Sequence, residues 1–144
     1  MKFKTLLLAA VGIILVLAVA ACGGSQTGAQ QSTVAESDLS SLPSSVDVET
    51  VHSLKDDPNV FLLDVREPYE YEAGHIPGIT LIPMADVPAR LGEIPTDKEV
   101  IVTCRSGNRS SQIADYLREQ GFTNVHNMEG GIIAWEAAGF EVEQ

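Results

Sequence analysis

Two short unbroken runs of β-forming residues, Val60–Asp64 (VFLLD) and Glu99–Thr103 (EVIVT), constrain this chain more than any other feature. Neither alternates apolar with polar residues, so each calls for cover on both of its faces, as the strands of a parallel sheet have. Parallel neighbours need a crossover between them, and the intervening segments carry helical spacing. Residues 110–120 place Ile113, Ala114 and Leu117 on one helical face, and Gly121 supplies a C-terminal stop. Weaker strands are predicted over residues 79–82 and 124–127, and further helices over 48–55, 85–91 and 132–138. The alternation predicts an α/β domain: an open parallel sheet of about five strands with helices on both faces.

The two ends of the chain leave room for one such domain among its 144 residues. Residues 6–21 form an uncharged run of 16 residues behind Lys2 and Lys4, short for a membrane span and laid out like a secretory signal. The run closes on Val19, Ala20, Ala21 and Cys22, which resembles a bacterial lipobox, where the cysteine is lipidated and becomes the new N-terminus. An uncleaved membrane anchor is the alternative. Residues 22–45 are rich in Gly, Ser, Gln, Thr and Ala and read as a tether reaching about 25–30 Å. The expected organisation is therefore a signal peptide over 1–21, a tether over 22–45 and a folded domain over 46–144, exported and held at the membrane through a lipid on Cys22.

Charge narrows the partners. The chain carries 9 Lys plus Arg against 20 Asp plus Glu, and without Lys2 and Lys4 its net charge is near minus thirteen. Such a field repels phosphate backbones, so nucleic acid is not expected, nor is a membrane except through the lipid. With Cys22 assigned to lipid, Cys104 has no partner for a disulfide within the chain.

Cys104 directly follows the run Glu99–Thr103, and Arg105, Ser106, Gly107, Asn108 and Arg109 lead from it into the predicted helix. In open parallel sheets ligands bind beyond the carboxyl ends of the strands, where a loop meets a helix N-terminus. A short loop with glycine at its middle can converge several backbone N–H groups on one point, and two arginines add positive charge there. All three effects favour thiolate over thiol, so a depressed Cys104 pKa is expected.

The stretch from Cys104 to Ser110 resembles the active-site loop of rhodanese domains. Further motifs follow in that family's order: Asp64, Val65 and Arg66; Gly74, His75, Ile76, Pro77 and Gly78; Glu129, Gly130 and Gly131 with Ala134 and Trp135. The resemblance covers about a hundred residues, from Val46 to the end. It implies a sulfurtransferase in which Cys104 takes sulfur from an anionic donor such as thiosulfate as a persulfide and passes it to cyanide or a thiol, without a cofactor or metal. Arg105 and Arg109 would attract and position the donor.

Asp64 and Arg66 are expected beside the loop in a supporting role, with Arg66 paired to Glu70 and Asp64 holding the loop or the next turn. His75 reads as a turn residue, and His52, His75 and His126 lack metal-site spacing. Trp135 and Met128 read as core. Related cysteine phosphatases need five residues between cysteine and arginine; here four separate Cys104 from Arg109, which disfavours phosphatase or arsenate reductase chemistry. A non-catalytic module that holds sulfide or a partner is the alternative of another class.

Overall fold

A computed structural model describes residues 39–144, so the signal peptide, Cys22 and most of the tether lie outside the described residues. The elements run in the order β1 (Ser45–Val46), α1 (Val48–Leu54), β2 (Val60–Asp64), α2 (Pro68–Glu72), β3 (Thr80–Leu81), β4 (Glu99–Thr103), α3 (Asn108–Glu119), β5 (Val125–Met128) and α4 (Gly131–Ala137). The five strands form one sheet in the order β1-β5-β4-β2-β3, every pairing parallel.

The continuous apolar runs are explained by two core clusters, one on each face. Val100 and Val102 of β4, with Leu63 of β2, pack with Ile113, Ala114 and Leu117 of α3. Ile101 and Leu62, their alternate neighbours, pack instead with Val51 and Leu54 of α1 and with Ile132 and Trp135 of α4. Period-two alternation thus sends successive side chains to opposite helical layers. Trp135 and Met128 are fully buried, and the Trp135 indole N–H donates to the Glu141 carbonyl at 2.9 Å, which satisfies the one polar atom it takes inside.

Several boundaries differ from expectation. The predicted helix over 85–91 is two single 3-10 turns, Val87–Ala89 and Leu91–Glu93. Pro88 removes a backbone donor and Gly92 weakens helical preference there, so continuous i to i−4 bonding does not form. α3 begins at Asn108, two residues ahead of the expected start. The ordered domain also reaches back before residue 46: Leu39 and Leu42 pack against the α1/α4 core, and the Ser44 carbonyl accepts from the Asn127 N–H at 2.9 Å. The apolar content of that segment is small, but two leucines and a strand pairing are enough to order it.

Candidate active site

Parallel register sets the stage. Asp64 pairs with Thr103 at the carboxyl ends of the two central strands, and the Val65 N–H bonds the Thr103 carbonyl at 3.0 Å. Cys104 therefore leaves the sheet beside the segment that follows β2. Gly107 then turns the chain with φ of +93° into the first turn of α3. The left-handed dihedral favours glycine, and a Cβ at this residue would lie in tight contact, 3.2 Å from the Gly130 nitrogen.

Cys104 is only 1% exposed and forms no disulfide. Its Sγ accepts from the Gly107 N–H at 3.2 Å and from the Ser110 hydroxyl at 3.4 Å. Burial pushes the thiol up, but the Ser110 hydroxyl and the backbone N–H groups of Ser110, Ser106 and Gly107 outweigh it and leave the pKa below its ordinary value. The Ser110 hydroxyl and the convergent amides of the loop thus together stabilise the thiolate. Ser110 also donates to Asn127 Oδ1 at 2.7 Å. A hydroxyl has one proton, so it serves the sulfur or the amide at any moment, which makes it a rotor between the thiolate and β5.

The loop is backed from below by α4. The N–H of Ile132 donates to the Cys104 carbonyl at 2.9 Å, and that of Ile133 to the Arg105 carbonyl at 3.2 Å. Such contact is open only to glycine at residue 131, whose φ is +60° and whose Cβ would fall 2.4 Å from the Cys104 carbonyl oxygen. The pair Gly130–Gly131 earns its place in the C-terminal motif through this packing.

Of the predicted arginines, Arg105 is exposed and pairs with no described side chain. Arg109 is not a free cation: it makes a two-pronged ion pair with Glu70, Nη1 to Oε2 at 2.7 Å and Nη2 to Oε1 at 2.8 Å. The Arg109 guanidinium, opposed by burial and aided by the Glu67 N–H, holds the Glu70 carboxyl down at about 2. Glu70 in turn raises the Arg109 pKa further, with a lesser contribution from Cys104.

The expected Arg66–Glu70 side-chain pair is therefore absent. Arg66 sits on Asp64 instead, its Nε 2.8 Å from Oδ2, with the two residues 4% and 1% exposed. Its remaining donors reach the carbonyls of Glu70 at 3.1 Å and Gly74 at 2.8 Å. Arg66 thus ties the end of β2 to α2 and to the turn before β3, and both members of the pair support the site without facing it as free charges. The Arg66 fork is already filled by the Asp64 carboxylate and the carbonyls of Glu70 and Gly74, which leaves the Glu70 carboxylate to Arg109.

Ser106 and Asn108 present exposed side chains; it is the Ser106 backbone N–H that reaches the sulfur. His75 stacks on Tyr71 at 3.7 Å and exchanges backbone bonds with Glu143, while His52 stacks on Phe140 and His126 contacts Glu99. The three histidines are therefore engaged separately. The sequence includes Ser110 in the loop motif without indicating its bond to the sulfur, and it suggests Arg66 rather than Arg109 as the partner of Glu70. Ser110 was detectable, since it precedes Ile113, Ala114 and Leu117 by three, four and seven residues and so shares their buried face.

Beside the loop, α2 and α4 flank an open cleft of about 330 Å³ lined in part by Tyr69, Glu70, Arg105, Ile132, Ile133 and Glu136.

The chain matches the family described as Rhodanese-like domain over residues 47–138. It is 45% identical over 89 residues to a protein named Sulfurtransferase from Allochromatium vinosum, the match covering 62% of this chain and 83% of that one. It is 42% identical over 85 residues to a protein named Thiosulfate sulfurtransferase GlpE from Pseudoalteromonas translucida, covering 59% of this chain and 81% of that one. The crystal structure of a rhodanese-related protein from Thermoplasma volcanium superposes with a TM-score of 0.65 at 30% identity, covering 70% of this chain and 98% of the other.

Proposed function

Since this chain belongs to the rhodanese-like family, whose relatives above are named sulfurtransferases, we propose that it moves sulfane sulfur from an anionic donor such as thiosulfate to a thiophilic acceptor through a persulfide on Cys104. The observation that carries this reading is the sulfur itself, buried at 1% exposure yet held in a ring of donors that lowers its pKa. A structural cysteine in an apolar core would have its pKa raised instead.

The Cys104 thiolate attacks the outer sulfur of the donor; the S–S bond of thiosulfate breaks, and its electron pair leaves on sulfite. The negative charge passes from Sγ to the outer persulfide sulfur and stays within reach of donors aimed into the loop. In the second half-reaction an acceptor takes that outer sulfur and Cys104 returns as thiolate. With Arg109 neutralised by Glu70, attraction of the anionic donor falls mainly to Arg105. Four residues between Cys104 and Arg109 make a small ring, which suits one sulfur atom better than a tetrahedral phosphate.

Mass spectrometry of the purified domain after thiosulfate tests the reading. One extra sulfur on Cys104, absent from Cys104→Ser, is the expected result; a folded Cys104→Ser protein that still transfers sulfur at the wild-type rate refutes it.

We further propose that the domain is exported and tethered by a lipid on Cys22. The support is the 16-residue apolar run and the small residues that precede the cysteine. Radioactive fatty acid should label the wild type and not Cys22→Ala. An unlabelled wild type that retains residues 6–21 would make the apolar segment itself the anchor.

A further inference from the structure

Two large apolar side chains stand out as exposed among the described residues, Tyr69 at 72% and Ile133 at 47%. Both line the cleft between α2 and α4. The same cleft contains two opposite charges, Arg105 and Glu136, that have no partner among the described residues, whereas Arg66 and Arg109 are matched by Asp64 and Glu70. Apolar walls with one free cation and one free anion suit a small ligand that has an aliphatic body and both charges.

The cleft touches the reacting sulfur's own loop at two points. Its lining residues Ile132 and Ile133 bond the carbonyls of Cys104 and Arg105 through their backbone N–H groups, and its lining residue Glu70 grips Arg109, which feels the charge of Cys104. The sulfur donor is a poor match here: a compact dianion has no use for apolar walls, and Glu136 repels it. A protein surface is a poor match as well, because the two exposed apolar side chains, Tyr69 and Ile133, offer far less apolar area than stable protein partners bury.

Resting on the persulfide reading above, we propose that this cleft is the acceptor subsite and that it selects cysteine-type thiols, whose carboxylate pairs with Arg105 and whose ammonium pairs with Glu136. Such a zwitterion carries no net charge, so the strongly acidic surface of the domain does not repel it as it would a polyanionic thiol. The bound thiol gives its proton to solvent, and its thiolate attacks the outer sulfur of the Cys104 persulfide. A new S–S bond forms on the acceptor, the protein S–S bond breaks, and the electron pair stays on Cys104 Sγ. Neither an oxidant nor a reductant is needed.

The test separates the two half-reactions. The domain is first loaded with thiosulfate and the extra sulfur on Cys104 is verified by mass. Discharge is then followed in a single turnover with cysteine, 3-mercaptopropionate (no ammonium), cysteamine (no carboxylate) and 2-mercaptoethanol (neither), each rate divided by its thiolate fraction. Cysteine should be about tenfold more efficient than either singly charged analogue. Glu136→Gln should bring the ratio of cysteine to 3-mercaptopropionate to about one, and Arg105→Gln should do the same for cysteine against cysteamine. Equal efficiencies for all four thiols, or a preference that survives both substitutions, overturns the subsite. Failure of the wild-type domain to load instead removes the persulfide reading, and the subsite falls with it; the variants are discharged only after their loading is verified by mass, with a higher thiosulfate concentration for Arg105→Gln.

Discussion

Replacing Glu70 by Gln separates the charge of the Glu70–Arg109 pair from its shape. The two side chains meet at 2.7 and 2.8 Å, with the carboxylate 14% and the guanidinium 30% exposed. A carboxyl held at about 2 rather than 4.5 has at most ~3.5 kcal/mol favouring its charged form, at ~1.4 kcal/mol per pH unit. Solvent reaches Arg109, and screening brings the expected loss at neutral pH to ~1–2 kcal/mol. The sign follows from the direction of the shift. The folded-state pKa is depressed, so the contribution is fully present above the unfolded value of 4.5 and is lost as pH falls through about 2. Urea unfolding at several pH values should therefore show Glu70→Gln less stable at pH 7, the two proteins drawing together as pH approaches 2. Other acids with lowered pKa values, such as Asp47 and Glu93, titrate equally in both and cancel. The freed Arg109 should also lower the KM for thiosulfate and steepen its dependence on salt, since a released cation now faces the anionic donor. A stability difference that stays constant from pH 7 to 2, together with an unchanged KM, would refute the argument that Glu70 sets the charge of the site.

Ser110→Ala removes one donor from Sγ and leaves Asn127 Oδ1 without its 2.7 Å partner. The pH at which iodoacetamide reactivity of Cys104 inflects should move upward toward the ordinary thiol value, with ~1–2 kcal/mol of stability lost; an unmoved inflection would show that the amides suffice. Gly131→Ala places a methyl 2.4 Å from the Cys104 carbonyl oxygen at a φ of +60° and should cost ~2–4 kcal/mol by thermal melt. Because the clash is with the loop itself, alkylation of Cys104 should also slow; wild-type stability and reactivity together would contradict the packing.

The strands β2 and β4 were legible because an unbroken run of branched and aromatic side chains has only one comfortable setting, between two helical layers. The place of Cys104 at the carboxyl end of β4, the length of its loop and the glycine that turns it are also local facts. They depend on neighbours within a few residues, and the convergence of amides on the sulfur follows from them. Tertiary structure decided the partners of the charges. Asp64, Glu67, Glu70 and Glu72 all lie within a turn or two of Arg66 in the chain, so spacing alone cannot rank them. Arg66 settled on Asp64, and the backbone carbonyls of Glu70 and Gly74 filled its remaining donors. That left the Glu70 carboxylate for Arg109, thirty-nine residues away. The closeness of Gly131 to the Cys104 carbonyl, the Ser110–Asn127 bond and the strand order β1-β5-β4-β2-β3 likewise join segments distant in sequence. Ion pairs and backbone contacts of this kind form only once the sheet has set which loops share an edge, so no local pattern announces them.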